Sequence, residues 1–485
     1  MMRLVLSCPH CGAQIDSLEE EHVVRCSFCS SKLLASVQGG SPAYSISPNL
    51  TEPGRVSTML AQRLRKESMD PSGLTQVMLT HLPFWRLQAI SYRWIFGTRS
   101  MGKPDPSELL PPASERVREL VVRPLDHTIA ASRLKLVELP SLGVRAQVLP
   151  LNPLTPGEVK ESFLPVETSR QEALEALKRL AQAYPQPHGL NPEMVSESLV
   201  GARLTLIFLP VWKGVVHTRE DEHHFFLDGV DGRFLGKSKA SSLRPPSSQP
   251  KTRNLQLGEL KLLPFRCPIC GWDLPFRPQS LLHLCPSCLR LWEGHEGSWR
   301  QVAYEVASPP QGQAWDKMLW VPFWCIRCRF SDGKKSVQSA SELRGLALQS
   351  RWASGQTPSQ EPARLYVPAM RLPDPKVSMN LAVKITGAQP SMQLCRFPQG
   401  LKVDSAGASL AARDALQMAL PVLAGLLPFR NRQLLEWLAA VKPQMGEPQV
   451  RFLPFIRKDI FWVQVHTNAS FPHNPRCADL MVEKR

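Results

Sequence analysis

Cys8-Pro9-His10-Cys11-Gly12 is followed, after a gap of fourteen residues, by Cys26-Ser27-Phe28-Cys29, and the pattern returns with the same gap as Cys267-Pro268-Ile269-Cys270-Gly271 and Cys285-Pro286-Ser287-Cys288. Two CxxC pairs at this separation fold as two tight knuckles that face each other and deliver four thiolates to one tetrahedral ion. Gly12 and Gly271 suit the positive φ a knuckle turn needs, and Pro9 stiffens the turn between ligands. Cys8, Cys11, Cys26 and Cys29 are therefore expected to hold one zinc ion, and Cys267, Cys270, Cys285 and Cys288 a second. Tetrahedral thiolate also suits iron, but at this short spacing zinc is the expected ion. A four-cysteine site has no open coordination position, so it supports a fold and does not catalyse.

Outward from these pairs, the 485 residues are too many for one core, and 43% hydrophobic with 21% charged residues describes a globular chain of several domains. The 45 prolines sit in short punctuating motifs and predict many brief strands. The most apolar stretch, residues 204–212, is interrupted by Pro210, so no transmembrane helix is expected. The apolar run before Cys8 is too short for a signal peptide. Twelve cysteines arranged mainly as CxxC without an export signal predict thiolate ligands in a reducing cytoplasm. Net charge is +16, of which residues 1–255 carry +5 and residues 256–485 carry +11. A basic second half would attract nucleic acid or an anionic membrane, although no run of more than two consecutive basic residues occurs.

In chain order, residues 1–38 read as the first ribbon and residues 36–55, rich in Gly, Ser and Pro, as a linker. Residues 56–66 have helical spacing. Leu82-Pro83-Phe84-Trp85 opens a long aromatic strand, with the proline expected at its start or on an edge. Ala113-Ser114-Glu115 begins a short predicted helix, residues 134–148 read as strands, and Ser169 with Glu172 forms a capping box for the clearest helix. Residues 204–216 read as a strand, and residues 223–235 as a hairpin around Asp228-Gly229. Residues 236–256 form the main predicted linker.

After that linker the chain begins again. The second ribbon, residues 257–305, lies 259 residues beyond the first, and Val321-Pro322-Phe323-Trp324 lies 239 beyond Leu82-Pro83-Phe84-Trp85. Ala340-Ser341-Glu342 follows Ala113-Ser114-Glu115 at 227, and Leu453-Pro454-Phe455 follows Leu209-Pro210-Val211 at 244. The expected fold is therefore α+β, a tandem duplication whose copies each hold a small ribbon and a mixed α+β domain of short strands, residues 56–235 and 314–485.

Other candidates are weaker. Cys325 and Cys328 form a third CxxC that would suit metal or thiol redox chemistry, yet residues three apart on a strand face opposite ways. Cys395 and Cys477 read as packed thiols. His217, His223 and His224 among Glu220, Asp221 and Glu222 read as a solvated hairpin. Gly232 to Ser238 has three residues between its glycines where a phosphate loop needs four. Trp85, Trp212 and Trp324 would stack on bases if exposed, and read as core if not.

The Cys-Pro-x-Cys-Gly knuckles resemble rubredoxin-like zinc ribbons such as those of general transcription factors and replication proteins. The larger pattern of ribbon, Pro-Phe-Trp strands and Asp-Gly hairpin looks like uncharacterised bacterial tandem zinc-ribbon proteins, a resemblance that implies a fold and no activity. The chain is accordingly expected to be a non-enzymatic scaffold or adaptor making protein contacts. Nucleic-acid binding through the basic second copy is the alternative, and redox or catalytic chemistry at Cys325 and Cys328 the third reading.

Overall fold

The computed structural model describes residues 3–100, 114–132, 134, 139–143, 145–159, 162–185, 187–218, 221–239, 257–347, 360–428 and 431–473. Strands β1 (Arg3–Ser7), β2 (Gln14–Leu18), β3 (Val23–Arg25), β4 (Lys32–Gly39) and β5 (Ser41–Ile46) lead into helix α1 (Pro53–Lys66). The first body follows as β6 (Leu74–Ser100), β7 (Ser114–Ala130), α2 (Arg145–Val148), β8 (Pro150–Pro153), α3 (Arg170–Gln182), β9 (Leu190–His217), β10 (Glu222–Asp228) and β11 (Phe234–Lys239). The second half opens with β12 (Leu257–Pro264), β13 (Leu282–Leu284), β14 (Leu291–His295), β15 (Ser298–Val302), β16 (Tyr304–Ala307) and β17 (Leu319–Ser331). It continues through β18 (Ser336–Val337), α4 (Ala340–Ala347), β19 (Arg364–Pro368), α5 (Pro375–Ala388), β20 (Leu394–Cys395), α6 (Ala412–Gln417), α7 (Ala419–Leu426) and α8 (Arg432–Ala440). Strands β21 (Lys442–Met445), β22 (Gln449–Lys458), β23 (Phe461–Gln464) and β24 (Ser470–Pro472) complete it.

This architecture overturns the expected α+β plan of short strands in two equivalent copies. Among the described residues strand makes up 46% and helix 20%, which is a β-rich proportion, carried by three sheets of twelve, three and nine strands. β6 and β9 run 27 and 28 residues and pair antiparallel from Leu74↔Val216 to Arg99↔Leu190. Residues 114–122, expected as helix, belong to β7, because they pair with β6 from Ser100↔Ser114 onward. Their counterpart Ala340-Ser341-Glu342 does open a helix, α4, so the halves differ at this point. Residues 36–55 are not a linker, since β5 and the end of β4 occupy them. Residues 145–148, expected as strand, form α2. Of the predicted linker, residues 236–239 lie in β11 and the rest falls outside the described residues, as does Cys477.

Side-chain alternation along β6 builds two cores. Leu82 and Phe84 meet Ile207, Leu209 and the ribbon residue Leu33 on one face, while Trp85 and Leu87 meet Leu206, Phe208 and Leu177 of α3 on the other. Helix α3 starts as the sequence predicts, with the Ser169–Glu172 capping box formed.

The prolines of the repeated mark stand inside strands, not at their starts. A strand residue points its N and its C=O to the same side, so a proline there is tolerated where the neighbouring strand ends. Each does so. The Pro83 carbonyl accepts from Ala131 just past β7, Pro210 from Gly229 just past β10, Pro322 from Ala369 just past β19, and Pro454 from Val465 just past β23.

The two halves share a narrower feature than a repeated domain. Leu82 pairs with Leu209 as Val321 pairs with Leu453, and parallel strands add Tyr44↔Ile207 and Glu305↔Arg451. Beyond these strands the halves interlock. The outer part of β6, β7 and β9 places Tyr92, Trp94, Phe96, Leu120 and Val200 in one core with Val422, Leu423 and Trp437 of the second half. Trp94 donates its indole N–H to the Pro421 carbonyl at 2.8 Å, and Arg118 donates to the carbonyls of Gly425 and Leu427. β12 pairs antiparallel with β4 over seven positions, Gly258↔Gly39 to Pro264↔Leu33, and parallel with β5 at Leu257↔Ser41.

Candidate metal centres

Four knuckles share one backbone geometry. The N–H of Gly12, Ser30, Gly271 and Leu289 donates to the carbonyl of Cys8, Cys26, Cys267 and Cys285 respectively, at 2.9 to 3.0 Å. Those four donors all have positive φ, 73°, 58°, 70° and 54°. Glycine adopts this conformation freely; in Leu289 it costs about 1 to 2 kcal/mol and persists because the closed knuckle imposes it.

The knuckles bring their cysteines together in fours. Sγ atoms of Cys8 and Cys29 lie 3.7 Å apart, as do those of Cys11 and Cys26. In the second ribbon Cys267–Cys288 and Cys270–Cys285 are 3.6 and 3.5 Å. Each set of four lies within 4.8 Å. A tetrahedron of sulfurs about 2.3 Å from a zinc ion has edges of about 3.8 Å, so both tetrads fit that ion. All eight cysteines singled out in the sequence are placed in the two sites expected of them, and among the described residues no other His, Cys, Asp and Glu group of three or more converges.

Each first cysteine of a pair is buried and each second one faces outward, Cys288 partly covered. Hydrogen bonding to the Ser31 hydroxyl and N–H lowers Cys29 to about 6, and the Trp272 N–H lowers Cys270 to about 7. Burial pushes Cys285 up to about 12. The tetrads therefore hold protons that a cation must displace, and metal affinity falls with falling pH.

The ribbons are fused into one head. Val23 and Leu34 of the first pack with Phe265, Cys267, Leu274, Cys285 and Trp292 of the second. The Phe265 N–H donates to the Lys32 carbonyl, and the His22 and Val23 N–H groups to the Pro278 carbonyl. His283 is buried edge-on to Phe265 and Trp299, and desolvation takes it to about 3, so it stays neutral.

The other sequence candidates do not assemble. Cys325 packs with Phe323, Tyr366 and Leu453, while Cys328 packs with Trp324, Phe330 and Val337 on the opposite face. The ladder between them runs without a bulge, and burial raises Cys328 to about 12. His224 is paired with Glu222 at 2.6 Å in the β9–β10 hairpin. Trp85, Trp212 and Trp324 are buried and donate their indole N–H to the carbonyls of Thr168, Leu50 and Leu410, so none offers a ring for stacking. Cys395 sits beside the Ser308 hydroxyl at 3.3 Å.

Two buried arginines escaped sequence reasoning. Arg86, 2% exposed, makes a two-point ion pair with Asp126 and reaches Glu19 in the first ribbon at 2.7 Å. Arg451, 3% exposed, pairs with Glu305 at 2.7 Å and donates to the Tyr366 hydroxyl. An arginine inside an apolar strand run is the signal that marks both. Comparison with protein-family models, curated proteins and solved structures finds no match to this chain.

Proposed function

We propose that this protein is a zinc-dependent, non-catalytic scaffold whose two ions hold a double-ribbon head on a β-rich body, and that the head and body make contacts with other proteins. The observation that carries the reading is the pair of closed four-thiolate tetrads joined through one shared core. A closed site offers no position for substrate or water, so the ion's contribution is shape. Small ribbons lack a core sufficient for stability, and structural zinc supplies roughly 10 to 16 kcal/mol of apparent binding free energy in comparable units at neutral pH. An adaptor whose recognition surface depends on bound zinc loses partners and fold together when the metal is removed.

Elemental analysis of the purified protein is expected to return two zinc ions per chain. Visible thiolate-to-iron absorption instead would replace zinc by iron. Cross-linking in cells, comparing the native chain with one carrying Cys11→Ser and Cys270→Ser, is expected to recover protein partners that the variant loses. If the native chain instead binds mixed DNA and RNA probes with affinity that falls steeply with salt, the protein-scaffold reading is wrong and the basic second half is the contact surface.

A further inference from the structure

Three large apolar side chains stand in solvent at the metal knuckles: Phe28 at 78% exposure, Ile269 at 58% and Trp272 at 59%. Their placement follows from the ladder that fuses the ribbons. The second knuckle of the first ribbon leaves β3 at Arg25 and re-enters β4 at Lys32, which are paired. β12 ends at Pro264 opposite Leu33, and the next residue, Phe265, bonds to Lys32 before the chain turns into the knuckle of Cys267. Both knuckles thus leave the same end of the same sheet. That end presents Phe28 from one turn and Ile269 and Trp272 from the other.

The charge around this tip is one-sided. Arg25 and Arg290 are exposed and Lys32 half-buried, and among the described residues none of the three has an ion-pair partner. Arg266 and Asp273 pair with each other at 3.2 Å and cancel. From His22 to Lys32 there is no acidic residue, and Glu19 is held away by Arg86.

We propose that this double-knuckle tip docks on an anionic lipid surface, inserting Phe28, Ile269 and Trp272 at the headgroup boundary while Arg25, Lys32 and Arg290 meet lipid charge. Apolar residues on protruding turns, with cations beside them, match the interfacial arrangement in which aromatic and aliphatic side chains enter the acyl boundary and basic groups stay at the surface. A single-stranded nucleic acid fits less well. Ile269 has no ring to stack on a base, and three apolar tips on convex turns do not form a groove that tracks a backbone. The zinc ions set the two turns in place and take no part in the contact. This goes beyond the scaffold reading, and its failure leaves that reading intact, because zinc content and cross-linked partners are measured without lipid.

The test is co-sedimentation of the full zinc-loaded chain with phosphatidylcholine vesicles, with and without phosphatidylserine. Binding to the anionic vesicles is expected to be roughly tenfold or more tighter than to the neutral ones and to weaken with salt. The triple variant Phe28→Ser, Ile269→Ser, Trp272→Ser is expected to lose roughly tenfold or more while keeping the native zinc content. Arg25→Gln with Lys32→Gln is expected to flatten the salt dependence. Equal sedimentation with both vesicle types, or an unweakened triple variant, overturns the proposal. So does a native chain that ignores vesicles but binds a single-stranded oligonucleotide through the same three residues.

Discussion

The two ribbons have the same knuckles and the same ligand spacing, yet they are rooted differently. In the first, β1 pairs with β2 and with β8 of the body, and the ligands Cys8 and Cys26 lie in one core with Tyr44, Phe84 and Ile207. In the second, β13, β14 and β15 form a separate sheet, and the ligands Cys267 and Cys285 belong to the small core shared between the ribbons. Identical local chemistry therefore has unequal reach. The first tetrad is set directly in the core of the main sheet, whereas the second sits in the inter-ribbon core while its strands, through Leu282, Leu284 and Leu291, join the core of the second half.

The sharpest way to break this comparison is to remove one ion at a time. Cys8→Ser with Cys26→Ser and Cys267→Ser with Cys285→Ser are each expected to leave one zinc per chain. Both forfeit metal-binding free energy on the order of 10 kcal/mol. Calorimetry is expected to show the greater loss of unfolding enthalpy in the first variant, whose ligands lie in the main-sheet core, and the smaller in the second, whose ligands lie in the inter-ribbon core. Equal damage would show that the ribbons are energetically equivalent.

Next in size is the ion pair that ties the first ribbon to β6. Arg86→Met leaves Asp126 and Glu19 without their cation, and is expected to cost about 3 kcal/mol in denaturant unfolding. Adding Glu19→Gln and Asp126→Asn to that variant is expected to restore part of the loss, because the stranded charges are then gone. Leu34→Ala, in the core between the ribbons, is expected to cost about 2 to 4 kcal/mol and to speed zinc release to a chelator from the second ribbon more than from the first.

The smallest effect lies in the body. His81 is stacked on Phe163 with a buried, unpartnered Nδ1, and burial holds its pKa below the ordinary value. The unfolded chain therefore takes up that proton first. Its contribution to stability is full above the unfolded pKa of about 6.5 and declines as pH falls below it. Urea midpoints at pH 7.5 and 5.5 are expected to differ less in His81→Phe than in the native chain, with zinc retained at both.

The metal centres were legible because their information is local: each knuckle lies within six residues, and a pair of knuckles within about twenty. Helix α3 was legible for the same reason, through Ser169 and Glu172. What misled was information held by partners far along the chain. Residues 114–122 read as helix in a short window, yet β6 supplies a ladder that makes them strand. The proline-aromatic marks suggest strand starts in the sequence, whereas each records the end of the neighbouring strand. The likeness between the halves suggests two whole equivalent domains, while the matching registers cover a few central strands and the surroundings diverge.

The pairing of β12 with β4 also sets an order of events during synthesis. β4 is complete by Gly39, but the strand that covers its edge begins at Leu257. At about 5 to 20 residues per second, more than ten seconds of translation separate the two. Throughout that interval the first ribbon presents an open sheet edge with Leu33 and Leu34 upon it, a surface that pairs readily with other chains. The strand that closes the head thus also ends a window of aggregation hazard, and a chain truncated before Leu257 never leaves it.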